Sequence, residues 1–174
     1  MTPTIRLATA DDLAVINDIY NYYVLRSTCT YQLEPESIEA RRAWFDAHPP
    51  NQYPVTVSEI ANEKGISEVA AWGALSKFRE RAAYAPSVEA SIYVRHDMHR
   101  RGIGRALLVD LIQRARDFGF HTLIGGVSAD QTASLALQEN LGFQRVAHFK
   151  EVGYKFGQKL DVIFLQLMLN ENPA

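Results

Sequence analysis

Glu89-Ala-Ser-Ile-Tyr-Val-Arg-His-Asp-Met-His-Arg-Arg-Gly-Ile-Gly-Arg-Ala-Leu-Leu108 is the stretch that decides how the rest of the chain reads. Its first part, Ala90 to Val94, alternates and contains β-branched and aromatic residues, which predicts a strand. A short turn rich in His and Arg follows. Gly102-Ile-Gly104 then opens a helix in which Leu107, Leu108, Leu111, Ile112 and Ala115 recur at the spacing of one buried face. Strand, basic glycine-rich turn and helix start together have the construction of a phosphate site; taken alone, the loop reads equally as two glycines in an ordinary strand-to-helix turn. Glycine lets the backbone approach a ligand closely, the first N–H groups of a helix lack partners, and the helix dipole favours an anion. Arg100, Arg101 and Arg105 add full positive charge around the same point. Positive charge at a helix N-terminus opposes the dipole, a conflict that an anionic ligand resolves.

Two familiar phosphate loops are excluded by residue type. A Walker A loop needs Gly-Lys-Ser/Thr after four intervening residues, and the turn has none. A dinucleotide fingerprint needs a third small residue where Leu107 stands. Composition narrows the partners further. The 174 residues suffice for a single domain, 1–174, with a substantial core, and 47% hydrophobic with 22% charged residues is ordinary for a globular protein. A net charge of −2 and a pI near 6.2 argue against nucleic acid as a partner. One cysteine, Cys29, excludes an intrachain disulfide and a cysteine-based zinc cluster, and no pair of histidines has metal-ligand spacing. The sequence has no signal-peptide pattern and no apolar run of membrane-spanning length, so the expectation is a cytoplasmic protein without a membrane partner.

Around the central unit the chain reads as mixed α/β. Thr4 to Leu7 predicts a first strand, and Thr9-Ala-Asp-Asp12 a capping box before a helix carrying Leu13, Ile16, Ile19, Tyr20, Tyr23 and Val24 on one face. The polar stretch Ser27 to Pro35 is a loop or short extended segment, and Cys29 within it has no nearby His or paired Cys to make it a nucleophile. Ser37 caps a second helix that stops before Pro49-Pro50. Val55 to Ile60 and Glu68 to Leu75 flank Asn62-Glu-Lys-Gly65 as a hairpin. Beyond the central helix, Gly119 ends it, His121 to Ser128 forms a fifth strand, and Thr132 to Asn140 a short helix. Phe143 to Phe149 and Leu160 to Leu169 are the last strands, joined through Gly153 to Gly157.

His99-Arg-Arg-Gly102-Ile-Gly104 resembles the pyrophosphate loop of the GNAT N-acetyltransferases, Gln/Arg-x-x-Gly-x-Gly/Ala. The order strand, two helices, three strands, helix, strand, helix, two strands is also the order of that family. Further matches extend the resemblance to nearly the whole chain: Ile5 to Asp12, Tyr20-Asn21, Leu33 to Pro35, Arg41 to Phe45, Tyr53-Pro54, Ala83-Tyr84, Val88-Glu89, Ile92 to Val94, Glu139 to Phe143, Glu151 to Gly153, Lys155 to Gly157 and Leu160-Asp161. These resemble the phosphinothricin and methionine sulfoximine acetyltransferase subgroup. The resemblance implies an α/β (α+β) GNAT fold, with a mostly antiparallel mixed sheet of about seven strands and helices on both faces. It implies an enzyme that moves acetyl from acetyl-CoA to the amino group of a small amino acid, and a homodimer.

The resemblance also assigns roles. Glu89 takes the position of the general base, which an amine needs because it is protonated at neutral pH. In a regular strand Glu89, Ser91 and Tyr93 share one face; read from its residues alone, Glu89 is equally a solvated strand-end glutamate. Acetyl-CoA is placed against Ile92, Tyr93 and Val94, over His99, Arg100, Arg101, Gly102, Ile103, Gly104 and Arg105, and beside Gln131, Ser134 and Gln138. Arg79 and Arg81 suit a substrate carboxylate, with Tyr31, Phe78 and Tyr84 lining the pocket. Three positions depart from the pattern. His99 replaces Gln or Arg, Gln131 stands where many relatives have Asn, and Gln138 stands where the subgroup has His and the wider family Tyr. An amide has no useful proton at neutral pH, so Gln138 offers at most a hydrogen bond to the departing thiolate. Acetylation of another small amine or peptide N-terminus, and non-catalytic binding of acetyl-CoA, are the competing readings.

Overall fold

The first strand, β1 (Thr4–Leu7), lies antiparallel to β2 (Val55–Ala61), so both helices between them, α1 (Leu13–Arg26) and α2 (Ile38–Asp46), must cross one face of the sheet. The computed structural model describes residues 3–61 and 64–169. Asn62 and Glu63 of the expected hairpin turn lie outside them. The chain continues through β3 (Ser67–Lys77), β4 (Ser87–Val94), α3 (Ile103–Asp117), β5 (Thr122–Ser128), α4 (Thr132–Glu139), β6 (Gln144–Lys155) and β7 (Gln158–Met168). The strands form one sheet in the order β1-β2-β3-β4-β5-β7-β6, antiparallel at every pairing except β4 with β5.

Alternation along the strands assigns each face its helices. In β3, Trp72 and Ala74 turn toward α1, where they pack with Ile16, Ile19, Val55 and Val57. Leu75 turns the other way and joins Val88, Leu108, Leu111, Ile112, Ala115 and Leu123 beneath α3. Burying such a side chain contributes about 1.5–3 kcal/mol. The opposing charge at the start of α3 costs about 0.3–1 kcal/mol per residue, so packing dictates that helix. The entry to α1 is fastened by Asp12, which accepts from the Thr9 N–H at 2.8 Å and from both terminal nitrogens of Arg6 at 2.7 and 2.8 Å. The hydrogen-bonding Arg6 guanidinium holds the Asp12 carboxyl below its ordinary range.

Two boundaries differ from the sequence reading. Glu89 does not begin its strand, because pairing with β3 and β5 starts at Ser87 and Val88. The sixth strand runs on to Lys155 where a longer connection was expected. A bulge between Phe149 and Gly153, with Glu151 at φ 52°, absorbs the extra residues, and Phe156-Gly157, at φ 52° and 76°, close a tight turn.

Candidate active site

β4 and β5 are hydrogen-bonded neighbours only over Ser87–Glu89 and Thr122–Ile124. Beyond that point β4 stays with β3 as far as Val94 and β5 stays with β7 as far as Ser128, so the two parallel strands diverge. The wedge between them is a cleft enclosing about 520 Å³ including its open mouth. Ser91, Ile92 and Tyr93 form one wall and Gly126, Val127 and Ser128 the other. Gln131, Ser134 and Gln138 of the α4 segment close one side, and Cys29 reaches in from the loop between α1 and α2. Edge groups of diverged strands lack ladder partners, so their N–H and C=O groups are free for a ligand with amides of its own.

Glu89 is the last paired residue of β4 before the divergence. It is half-buried and reaches across the gap: a Cβ built on Gly126 would lie 3.4 Å from its Oε1. Burial raises its pKa above the ordinary glutamate value, and the charge of Arg79 acts in the opposite direction. Arg79 sits over the Phe78 ring at 4.9 Å, and Phe78 meets Tyr84 edge-on at 5.9 Å, so three of the expected substrate residues form one cluster, whose Arg79 acts on Glu89. Arg81 is exposed at the start of the short 3-10 turn Ala82–Tyr84. Tyr31 stands on the β5 side, where its hydroxyl donates to Ser128 Oγ at 3.2 Å and the Asp161 carbonyl at 3.0 Å.

The basic turn has the construction an anion site requires. Gly102 caps α3 at φ 78°, a left-handed conformation that costs other residues about 1–2 kcal/mol. The exposed Arg100 adopts φ 62° just before it. Among the described residues, Arg100, Arg101 and Arg105 form no ion pair. His99 is turned inward: its Nε2 lies 2.6 Å from the Tyr23 hydroxyl, which itself donates to the Val94 carbonyl. Ile92 and Val94 lie beneath Gly104 on the α3 side, whereas Tyr93 packs toward α1 against Trp72 at 4.8 Å.

Gln138 carries a buried side-chain oxygen with no hydrogen-bond partner among the described residues, packed where a Cβ on Gly125 would stand. An orphaned acceptor of this kind costs about 1–3 kcal/mol. A ligand amide N–H entering the cleft would satisfy it, so the residues present fit the amide-bearing arm of acetyl-CoA. Gln131 lines the cleft, yet its amide nitrogen donates to Thr28 Oγ1 at 2.9 Å and so ties the α1–α2 loop to the α4 segment. Sequence reasoning passed over Cys29, Gly126 and Ser128 as site residues. For Gly126 a signal existed, since paired glycines inside a strand mark close approach. For Cys29 there was none, because its loop is placed by tertiary contacts.

A mixed sheet that splits beside a basic glycine-capped helix, with a carboxylate at the apex, is the arrangement that the resemblance to the GNAT acetyltransferases implies. The model of the acetyltransferase (GNAT) domain family matches residues 5–164, and the chain belongs to that family. It is 39% identical to the L-amino acid N-acyltransferase MnaT of Escherichia coli, over 97% of this chain and 95% of that protein. It is 38% identical to the L-methionine sulfoximine/L-methionine sulfone acetyltransferase of Salmonella typhimurium, over 98% and 97%. The crystal structure of a phosphinothricin acetyltransferase from Sinorhizobium meliloti in complex with acetyl-CoA superposes with a TM-score of 0.91 at 37% identity, covering 97% of this chain and 89% of that one.

Proposed function

We propose that the protein transfers acetyl from acetyl-CoA to the amino group of a small amino acid analogue such as phosphinothricin or methionine sulfoximine, with Glu89 as general base. The single observation that carries this reading is Glu89 at the apex of the β4–β5 cleft, half-buried, with its pKa raised and Arg79 beside it. A carboxylate so placed accepts the proton of an incoming ammonium group, directly or through one water. Arg79 supplies the charge that holds the substrate carboxylate, and Phe78, Tyr84 and Tyr31 bound the space around it. The positive side chain disfavours polyamines and other cationic acceptors. Acetyl-CoA would be held by the free N–H groups of Arg101 to Gly104 and their arginines, by Ile92 to Val94, and by Ser134 and Gln138, and it would supply the activated acyl group.

We also read residues 1–174 as one domain working in the cytoplasm, where acetyl-CoA is made and used, and as a homodimer. Edge strand β6 and its turn expose Val146, Phe149, Val152, Tyr154 and Phe156 by 52–67% each. An apolar edge strand pairing antiparallel with its own copy would cover this row symmetrically. Among the described residues no helix is long and apolar enough to cross a membrane.

The deciding experiment is an acetyl-transfer assay over free amino acids, with phosphinothricin, methionine sulfoximine, polyamines and short peptides included. Preferred turnover of the amino acid analogues is expected. Preference for polyamines or peptides would overturn the substrate assignment.

A further inference from the structure

Lys155 is 3% exposed at the end of β6, and among the described residues no carboxylate pairs with it. Its Nζ donates to the carbonyls of Ser27 at 2.8 Å and Thr30 at 2.7 Å, two turns of the loop between α1 and α2. Burial pulls its pKa down, so the charge is held there against a desolvation penalty by these carbonyls and the Phe156 ring at 5.0 Å. Two residues earlier, Gly153 lies under the same loop. A Cβ on Gly153 would come 2.4 Å from Cε2 of Tyr31, so only glycine admits that ring. Between these two anchors run Cys29, which lines the cleft, and Tyr31, which is bonded to Ser128 of the cleft wall.

We propose that Lys155 and Gly153 are positioning residues for the acceptor pocket: together they seat the Ser27–Tyr31 segment so that Cys29 and Tyr31 form its wall. The inference rests on the reading of this cleft as the place where an amino acid is acetylated. Neither residue touches the reacting atoms. The ammonium group gathers two carbonyls that would otherwise point apart, and the glycine sets the depth at which the tyrosine ring rests. A methionine at 155 fills similar volume but gathers neither carbonyl, so the segment loosens while β6 and β7 keep their ladder.

The test compares wild type, Lys155→Met and Gly153→Ala in steady-state kinetics, acetyl-CoA titration calorimetry and hydrogen exchange. Each variant should raise KM for the amino acid roughly tenfold, the scale of a lost charge-assisted hydrogen bond. The acetyl-CoA Kd should stay within about twofold, and the amides of residues 28–32 should exchange faster while those of β7 do not. Because Gly153 acts through the tyrosine, Gly153→Ala added to Tyr31→Ala should worsen KM no further. Unchanged KM in both variants, or an equal loss of acetyl-CoA affinity, would overturn the proposal. A wild-type enzyme that acetylates no amino acid would instead refute the functional reading, and this inference with it.

Discussion

The turn at His99–Gly102 and the loop at Ser27–Glu36 flank the same cleft, and they are built in opposite ways. In the loop, several polar groups are engaged by the protein itself. Thr28 Oγ1 donates to Asp130 Oδ2 at 2.5 Å, Thr30 Oγ1 shares a 2.9 Å bond with the Tyr20 hydroxyl, and Lys155 holds two carbonyls. Glu36 pairs with the buried Arg41 at 2.5 Å, while Asn21 accepts from its N–H and donates to its carbonyl. In the turn, the arginines are exposed and unpaired among the described residues, and the glycine cap leaves the helix N–H groups pointing outward. A phosphate site must keep its donors free for the ligand. A pocket wall must keep its shape, so its polar groups are consumed internally. Under the proposed function, selection among acceptors falls to the space the wall leaves and to the charge of Arg79.

The sharpest way to break this comparison lies between the two, at Glu89. Glu89→Gln should lower kcat/KM by about 10²–10⁴-fold, the usual contribution of a general base, and leave acetyl-CoA affinity intact by calorimetry. Since burial raises this pKa, the wild-type rate should rise with pH through a value above the ordinary glutamate range, and the variant should lose that limb. The stability effect has the opposite sense. The folded state holds this proton more tightly than the unfolded chain, so Glu89 contributes stability at low pH that is lost as pH rises through the folded value. Thermal unfolding should show Glu89→Gln at least as stable as wild type at pH 7, with no difference below the unfolded value. A rate indifferent to the substitution would remove the base from the mechanism.

At the turn, Gly102→Val should weaken acetyl-CoA binding about tenfold or more, while the amino acid KM stays nearly constant. The Cβ would meet nothing within 4 Å, so the damage comes from the left-handed φ of 78° and from a branched side chain in the ligand's approach. Gly65, at φ 74° with equally open space, provides the control. Gly65→Val should cost comparable stability without altering affinity, and equal affinity losses would dissolve the contrast.

On the acceptor side, Arg79→Ala should raise the amino acid KM roughly tenfold, the scale of a charge-assisted bond. It should also move the acid limb of the pH–rate profile upward, because Arg79 is the group that opposes the burial shift of Glu89. The KM of a decarboxylated analogue should not distinguish the variant from wild type. If it does, the arginine serves something other than the carboxylate. The smallest effect is expected at Gln138. Its replacement by Ala removes one hydrogen-bonding group and should slow turnover by about tenfold at most. A loss as large as that of Glu89→Gln would shift the chemistry onto Gln138.

Local pattern carried the element order, the capping box of the 3-10 turn Ala10–Asp12 that leads into α1, the Ser37 cap of α2 and the faces of α3, because each depends on residues within a turn or two of one another. The alternation Glu89, Ser91, Tyr93 was legible for the same reason. The length of β6 was not, since its bulge is held from β7, where Asp161 accepts from the Glu151 N–H at 2.8 Å. Nor was the inward turn of His99, which depends on a tyrosine 76 residues away. From the sequence alone came the mixed sheet, together with the expectation of a phosphate turn and of Glu89 as the base. Only the tertiary structure decided that β4 and β5 part after Glu89, that Arg79 lies close enough to act on it, and that β6 holds the Ser27–Tyr31 segment through Lys155. Those outcomes are contacts between distant segments, whose geometry follows from how the sheet twists and packs as a whole.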